Sequence, residues 1–221
     1  MARDLLYEGP IHPMHTLHPV AAPMQQAAPY AVLLACAAQP GTPATLALAG
    51  VLAQAWDRHG LHCLPLTGLD AHATQRLLAH WFPGADAQLG LDWPQMADRP
   101  EPRSDEIDDL TSLLLPATAP EADPEHARAI AHALACASLG DNHLWQDLHL
   151  PSRQQLTELI ATWFPVMAAR NHSNMKWKKF FYRQLCEREE ILICKSPSCA
   201  VCDDYRACFG AEEAAHPLLR H

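Results

Sequence analysis

Four cysteines near the C-terminal end constrain this chain more than any other feature of its sequence. They follow the pattern C-x4-C-x2-C-x5-C within fifteen residues, at Cys194, Cys199, Cys202 and Cys208. One folded loop can direct all four sulfurs at a common centre, as in metal and iron–sulfur sites. Because four converging thiolates repel each other, the pattern predicts a bound cation or a cationic cluster.

The spacing of these cysteines bears on which metal they bind. Structural zinc sites usually pair two C-x2-C units across a longer spacer, whereas this segment has one C-x2-C flanked by wider gaps. Wide and irregular gaps suit an iron–sulfur cluster better than a single ion, because the cluster's own sulfides extend the reach between ligands. The spacing favours a cluster, and structural zinc is the alternative.

Charge and hydropathy exclude several classes of protein. The 221-residue chain has 25 acidic and 16 basic residues, and its formal charge of −9 disfavours nucleic acid and anionic membranes as partners. The N-terminal residues lack the apolar segment of a secretory signal, and the apolar run 44–56 is too short to span a bilayer. We therefore expect a cytoplasmic protein, and in a reducing compartment clustered cysteines favour metal binding over disulfides.

The composition predicts an all-α fold. Apolar residues make up 49% of the chain, and Ala and Leu dominate them while β-branched residues are few. Thr42 and Asp70 are suited to cap helices, and the segment 92–104 is interpreted as a proline-rich polar connector. The predicted helices span residues 30–38, 43–58, 71–82, 105–115, 124–138, 152–164 and 174–190.

An internal repeat is also predicted. A shift of 82 residues aligns Trp81-Phe82-Pro83 with Trp163-Phe164-Pro165 and aligns five further apolar positions of each half. Two helix–loop–helix units with matching apolar faces would form one helical bundle. Chance similarity in a chain rich in Ala and Leu is the alternative.

Four segments are predicted. Residues 1–27 form a proline-containing arm in which His12, His15 and His18 are solvated, and residues 28–172 form the α-helical domain. Residues 173–210 form a helix followed by the cysteine-rich module, and residues 211–221 form a tail. The helix of the module is expected to dock through Trp177, Phe181 and Leu185, and Gly210 is expected to close the module in a conformation that only glycine adopts.

No motif of a familiar enzyme is found. The chain has no glycine-rich phosphate loop, no G-x-S-x-G sequence and no H-E-x-x-H pair. Cys36, Cys63 and Cys136 stand singly in apolar surroundings, where cysteine usually acts as a small buried hydrophobic residue. We therefore expect a protein that is not an enzyme.

A longer run of residues resembles a known family. The sequence MKWKKFFYRQLC over 175–186, followed by the four cysteines and Phe209-Gly210, resembles the NifQ proteins of nitrogen fixation. A weaker likeness extends upstream through residues 143–148, 152–153 and 164–165 to Asn171. The resemblance covers the C-terminal third of the chain.

This resemblance implies a function. It implies a molybdenum–iron–sulfur protein that supplies molybdenum for assembly of the iron–molybdenum cofactor of nitrogenase. The four cysteines correspond to the proposed ligands of a cubane-type cluster in that family, namely Cys194, Cys199, Cys202 and Cys208. The implied partners are the nitrogenase iron protein, the cofactor scaffold and molybdate or another molybdenum source.

Further site residues are candidates. A heterometal needs ligands beyond one cysteine, and His172 and Cys186 lie just upstream of the cysteines. Basic residues of the preceding segment are interpreted as a patch for molybdate or an acidic partner, or else as a solvated helix face; they are Lys176, Lys178, Lys179 and Arg183. The alternatives for the whole protein are a zinc-stabilised binding module and a small electron-transfer iron–sulfur protein.

Overall fold

The computed structural model describes residues 28–59, 66–98, 104–190 and 205–212. Within these ranges the chain forms twelve α-helices and one 3-10 helix and contains no strand. The all-α prediction is therefore confirmed for the described part of the chain. The N-terminal arm, Cys63, the first three cysteines of the motif and most of the tail lie outside these ranges.

The helices are numbered in chain order within the described ranges. Their bounds are α1 Pro29–Ala35, α2 Pro43–His59, α3 Ala71–Trp81, α4 Ala85–Leu89, α5 Trp93–Ala97, α6 Asp105–Leu114, α7 Pro124–Ser138, α8 Leu144–Asp147, α9 Arg153–Trp163, α10 Pro165–Arg170, α11 Trp177–Arg188 and α12 Tyr205–Phe209. The 3-10 helix, Leu115–Ala117, directly follows α6. Among the helices of the described ranges, none combines the length and the apolar character needed to cross a bilayer.

Side-chain caps explain where several long helices begin. The Asp70 carboxylate accepts a hydrogen bond from the Ala73 amide, and Thr42 Oγ1 accepts one from the Thr45 amide. Asp123 caps α7 in the same way by accepting from the amides of Glu125 and His126. These bonds satisfy amides that have no partner within the helix, and the two predicted caps are confirmed.

Some predicted bounds are wrong. The segment 92–104 contains α5, which begins where the Asp92 carboxylate accepts a 3.0 Å hydrogen bond from the Gln95 amide. The helix predicted from residue 174 begins only at Trp177, because Asn174 has a φ of 56° in the left-handed region. The short helices α4, α8, α10 and α12 were not expected.

The core is built around α2 and α7, which pack against each other. Leu48 and Leu52 of α2 and Ile130 and Leu134 of α7 are at most 2% exposed. Alanines occupy much of both helices and lie among the buried residues, so the two helices can approach closely. Helices α1, α6 and α9 cover this central pair.

The two helix junctions that the repeat aligns have matching geometry. Phe82 ends α3 with φ/ψ of −138°/60°, and Phe164 ends α9 with −134°/61°; both side chains are fully buried. The carbonyl of the preceding tryptophan accepts a 2.9 Å hydrogen bond from Ala38 in the first junction and from Ala119 in the second. This agreement is compatible with the predicted repeat, which remains a prediction.

Two titratable side chains of α7 are withdrawn from water. His132 is buried and its Nδ1 has no hydrogen-bond partner among the described residues; desolvation lowers its pKa to about 4. Desolvation also raises the pKa of the Cys136 thiol to about 12, so this thiol stays protonated at neutral pH. Both groups therefore act as uncharged parts of the packed interior.

Helix α11 docks on the domain through aromatic side chains. Trp177, Phe181 and Leu185 are buried in the same core cluster as the rest of the domain, as predicted, and Phe180 is buried beside them. On its outer side Arg188 Nη1 donates a 2.9 Å hydrogen bond to Ser112 Oγ of α6. Helix α11 is thus integrated into the bundle at its apolar face and tied to α6 near its end.

Candidate metal centre

Cys208 is the one member of the cysteine motif within the described ranges. It lies half-buried in α12, and it packs with Phe209 against the core. Its backbone carbonyl accepts a 2.8 Å hydrogen bond from the Lys176 amide, which seats α12 at the start of α11. The remaining predicted ligands, Cys194, Cys199 and Cys202, lie outside the described residues, so the convergence of the four thiols stays a prediction.

A complete metal site is not present in the described ranges alone. In those parts of the chain no three His, Cys, Asp or Glu side chains are grouped closely enough to hold a metal ion. Cys208 therefore has no group of further candidate ligands around it within the described ranges.

Gly210 closes α12 for a reason different from the one expected. Its amide donates a 2.9 Å hydrogen bond to the Arg206 carbonyl, and a Cβ at this position would lie 2.5 Å from the same oxygen. Its φ is not in the positive region, where Gly41, Gly68, Gly84 and Gly90 lie. The interpretation based on backbone conformation is therefore wrong, and lack of space for a side chain explains the glycine.

The turn that precedes α11 is held from inside by Asn171. The buried Asn171 side chain accepts a 2.9 Å hydrogen bond from the Met175 amide and donates one of 2.9 Å to the Met175 carbonyl. Both ends of the turn 171–176 are thereby fixed, and Asn174 is held in its left-handed conformation. Asparagine tolerates that conformation better than most residues do.

Arg153, the first residue of α9, binds the same turn from outside. Its Nη2 donates to the Asn174 carbonyl at 2.9 Å, to Asn174 Oδ1 at 3.0 Å and to the Met175 carbonyl at 3.0 Å. Its Nη1 lies 3.6 Å from a carboxylate oxygen of Glu212, whose side chain is only 5% exposed. One guanidinium thus connects α9, the turn 171–176 and the chain beyond α12.

Lys178 lies on the other side of the helix start, in a nearly buried ion pair. Its Nζ is 2.6 Å from Asp147 Oδ2 and donates a 2.6 Å hydrogen bond to the Gly140 carbonyl. Asp147 also accepts hydrogen bonds from the amide and the side chain of Asn142. A Cβ at Gly140 would collide with the Asp147 carboxylate, so the network depends on a glycine there.

The four basic residues proposed as a patch are in different environments. Lys178 is committed to Asp147, Arg183 Nε donates a 2.7 Å hydrogen bond to Glu187, and Lys176 Nζ lies 3.5 Å from the Arg206 carbonyl. Lys179 is exposed and has no ion pair within the described ranges. Only Lys179 therefore combines exposure with a free ammonium group among these four.

The two candidate heterometal ligands are at opposite ends of α11. His172 is exposed in the turn 171–176, and its Nδ1 shares a 3.2 Å hydrogen bond with Ser173 Oγ. Cys186 is half-buried in the last turns of α11, about 15 Å from Lys176 at the rise of an α-helix. His172 is therefore at the same end of α11 as Cys208.

Three residues with clear roles in this region were not identified as such from the sequence. Asp147 and Arg153 fall in the upstream stretches that resemble the NifQ proteins, and this resemblance was the available signal for them. Glu212 lies in the segment that the sequence interpretation treated as a tail. Its burial against Arg153 depends on a contact across 59 residues, and no local pattern reports such a contact.

In the described ranges the chain has an all-helical fold, with a candidate metal-ligating cysteine beside the start of α11. A family model described as NifQ matches residues 47–210. This chain belongs to the NifQ family. The match ends two residues after Cys208 and includes all four cysteines, and it extends well upstream of the stretch that first suggested the resemblance.

Curated relatives agree with this assignment. "Protein NifQ" of Azotobacter vinelandii is 42% identical over 71% of this chain and 84% of its own length. "Protein NifQ" of Rhodobacter capsulatus is 44% identical over 56% of this chain and 67% of its own length, and that of Klebsiella pneumoniae is 48% identical over 38% and 52%. No solved structure matches the chain.

Proposed function

We propose that this protein is a cytoplasmic molybdenum carrier, not an enzyme, that supplies molybdenum for assembly of the iron–molybdenum cofactor of nitrogenase. Its cargo would be a cubane-type molybdenum–iron–sulfur cluster bound by Cys194, Cys199, Cys202 and Cys208. The observation that carries the proposal is the family match, which spans all four cysteines. Thiolates are the ligands that iron–sulfur clusters require.

The position of Cys208 supports a donor more than a permanent electron carrier. Helix α12 has five residues and none of them is fully buried, so the partial packing of Cys208 and Phe209 against the core is the apolar contact that opposes its opening. Segments with few buried contacts open at a small fraction of the global free energy of unfolding. A cargo site that includes Cys208 would open without unfolding of the bundle.

We propose His172, and not Cys186, as the protein ligand that completes the molybdenum coordination. His172 is at the Cys208 end of α11, and the hydrogen bond of its Nδ1 to Ser173 leaves Nε2 for a metal. Metal-binding histidines usually engage their second ring nitrogen in such a hydrogen bond. Replacement of His172 by Ala should lower molybdenum content more than iron content, whereas Cys186→Ala should change neither.

Metal content tests the proposal directly. The full chain, reconstituted anaerobically with iron, sulfide and molybdate, should be brown and contain iron and molybdenum. Cys199→Ala and Cys202→Ala should lose both metals and retain the helical circular-dichroism signal, because the bundle has its own core. Cys36→Ala and Cys136→Ala are the matched controls and should retain the metals.

Other outcomes would assign the protein differently. A colourless chain with stoichiometric zinc would indicate a zinc-stabilised module. Iron without molybdenum, with reversible reduction of the cluster, would indicate electron transfer. Equal metal loss in all four cysteine variants would contradict the ligand assignment.

Delivery of the metal is the second part of the proposal. The proposed acceptors are the cofactor scaffold and the nitrogenase iron protein, and the proposed source of metal is molybdate. Passage of molybdenum from the loaded chain to a scaffold that carries an iron–sulfur precursor is the measurement. Retention of molybdenum in the presence of both proteins would refute the carrier role.

A further inference from the structure

We infer that Arg153 is a positioning residue of the metal centre, which fixes the segment of Cys208 relative to the turn of His172. The inference rests on the proposed function only where it concerns the metal. The placement of Cys208 by Arg153 concerns the protein alone and is tested without metal.

The contacts of Arg153 first explain how it holds the turn 171–176. Its Nη2 has three acceptors within 3.0 Å, all supplied by Asn174 and Met175. A planar guanidinium is preorganised to reach several fixed acceptors at once, so it loses less conformational entropy per hydrogen bond than a lysine ammonium does. Arg153 therefore holds the backbone of the turn 171–176 in the conformation that starts α11.

The second half of the role is the connection to Cys208. Lys176, directly after Met175, binds the Cys208 carbonyl through its amide, and Glu212, four residues after Cys208, pairs with Arg153. Two contacts, one at Cys208 and one four residues after it, thus connect this segment to the turn 171–176. The contact of Lys176 with Cys208 is direct, and the contact of Glu212 is made through the Arg153 guanidinium.

The Arg153–Glu212 ion pair is largely buried, which strengthens its effect on the position of the segment. The Arg153 side chain is 21% exposed and that of Glu212 is 5% exposed, so neither charge is well solvated without the other. Helix α12 contributes no buried residue of its own. Loss of the guanidinium should therefore release the segment around Cys208 and leave the bundle folded.

The test on the metal-free chain is the rate at which iodoacetamide alkylates Cys208, followed by mass spectrometry. Arg153→Gln should raise this rate about tenfold, because it removes the ion pair with Glu212 and the charge-assisted hydrogen bonds to the turn 171–176. Arg188→Gln is the matched control, because Arg188 ties the other end of α11 to Ser112 and Asp109. The control should leave the rate at Cys208 unchanged.

A second variant guards against a folding defect. Glu212→Gln removes the ion pair and leaves the contacts of Arg153 with Asn174 and Met175 in place. It should also accelerate alkylation of Cys208 without lowering the thermal midpoint as Arg153→Gln does. An unchanged alkylation rate in both variants would overturn the inference, whatever their thermal midpoints.

Reconstitution with iron, sulfide and molybdate separates this inference from the proposed function. The Arg153→Lys variant keeps the charge and loses the fork, and it should retain less metal per chain than the wild type at equal circular-dichroism signal. Full metal retention in Arg153→Lys and Arg153→Gln would refute a role at the centre. A wild-type chain that binds no iron or molybdenum would refute the proposed function. If Cys208 is nevertheless alkylated faster in Arg153→Gln than in the wild type, the placement of Cys208 by Arg153 is supported.

Discussion

Lys178 and Asp147 illustrate how two charges can be held almost entirely inside this protein. Their side chains are 18% and 3% exposed, and each charge has a further partner, the Gly140 carbonyl for Lys178 and the Asn142 donors for Asp147. Such a pair costs desolvation energy when it forms, so its net contribution to stability is small. Replacing one of the two residues is costly, because the charge of the other stays buried without a partner.

Lys178→Met should therefore lower the free energy of unfolding by about 3 kcal/mol, the usual cost of breaking a buried pair. Lys179→Met is the matched control at the adjacent exposed position and should change it by less than about 0.5 kcal/mol. Urea unfolding of both variants measures the difference. Equal effects would mean that the Lys178 ammonium is hydrated and does not depend on Asp147.

His132 gives the protein a pH-dependent stability. Burial lowers its pKa from 6.5 to about 4, and the nearby Arg128 acts in the same direction, while Asp108 and the Thr67 carbonyl oppose the shift. In the unfolded chain the imidazole is protonated below about pH 6.5. The unfolded state therefore binds more protons than the native state between pH 6.5 and about 4, and stability falls as the pH falls through this window.

The expected loss from this group is about 3 kcal/mol between pH 7 and pH 4. His132→Gln keeps a polar side chain without a titrating group, so its unfolding free energy should decline less over the same range. Urea unfolding at several pH values compares the two chains. Parallel pH profiles would show that His132 is protonated as easily in the native state as in the unfolded one.

At the scale of elements, the helices predicted most closely are those with local signals at their ends. Helix α7 has Asp123 and Pro124 at its start, and both predicted ends, Pro124 and Ser138, agree with the structure. The five helices of four to six residues were not predicted, because an apolar period needs more than one or two turns to be recognised. Their positions depend on packing against the longer helices.

In the candidate site, too, features with a local sequence signal were predicted and features set by long-range contacts were not. Spacing alone proposed Cys208, whose role as a ligand stays a prediction, and the four-residue spacing of Trp177, Phe181 and Leu185 located the buried face of α11. The start of α11 was misplaced, because the turn before it is held by Asn171 and Arg153 through contacts that have no local pattern. Long-range polar contacts of this kind are not recoverable from periodicity.

Over the whole molecule, ion pairs neutralise several basic residues of α11 within the described ranges. Lys178 is paired with Asp147, Arg183 with Glu187, and Arg188 with Asp109 and Glu189. Because the chain carries a formal charge of −9, an exposed cation near Cys208 would be a local site of electrostatic attraction for an acidic partner. Lys179 meets that description in the described part of α11.

Lys179→Glu should slow molybdenum transfer from the loaded chain to an acidic acceptor about threefold at low ionic strength, because the reversed charge weakens electrostatic steering. The effect should vanish at high salt, since screening shortens the reach of exposed charges from about 10 Å at 0.1 M to about 3 Å at 1 M. Arg128→Glu, which changes the net charge equally at an exposed position of α7 beside α3, is the matched control and should transfer at the wild-type rate. Transfer rates measured across a salt series distinguish the outcomes. Slowing that persists at high salt would indicate a direct contact of Lys179 with the acceptor, and equal slowing in both variants would show that net charge alone governs the encounter.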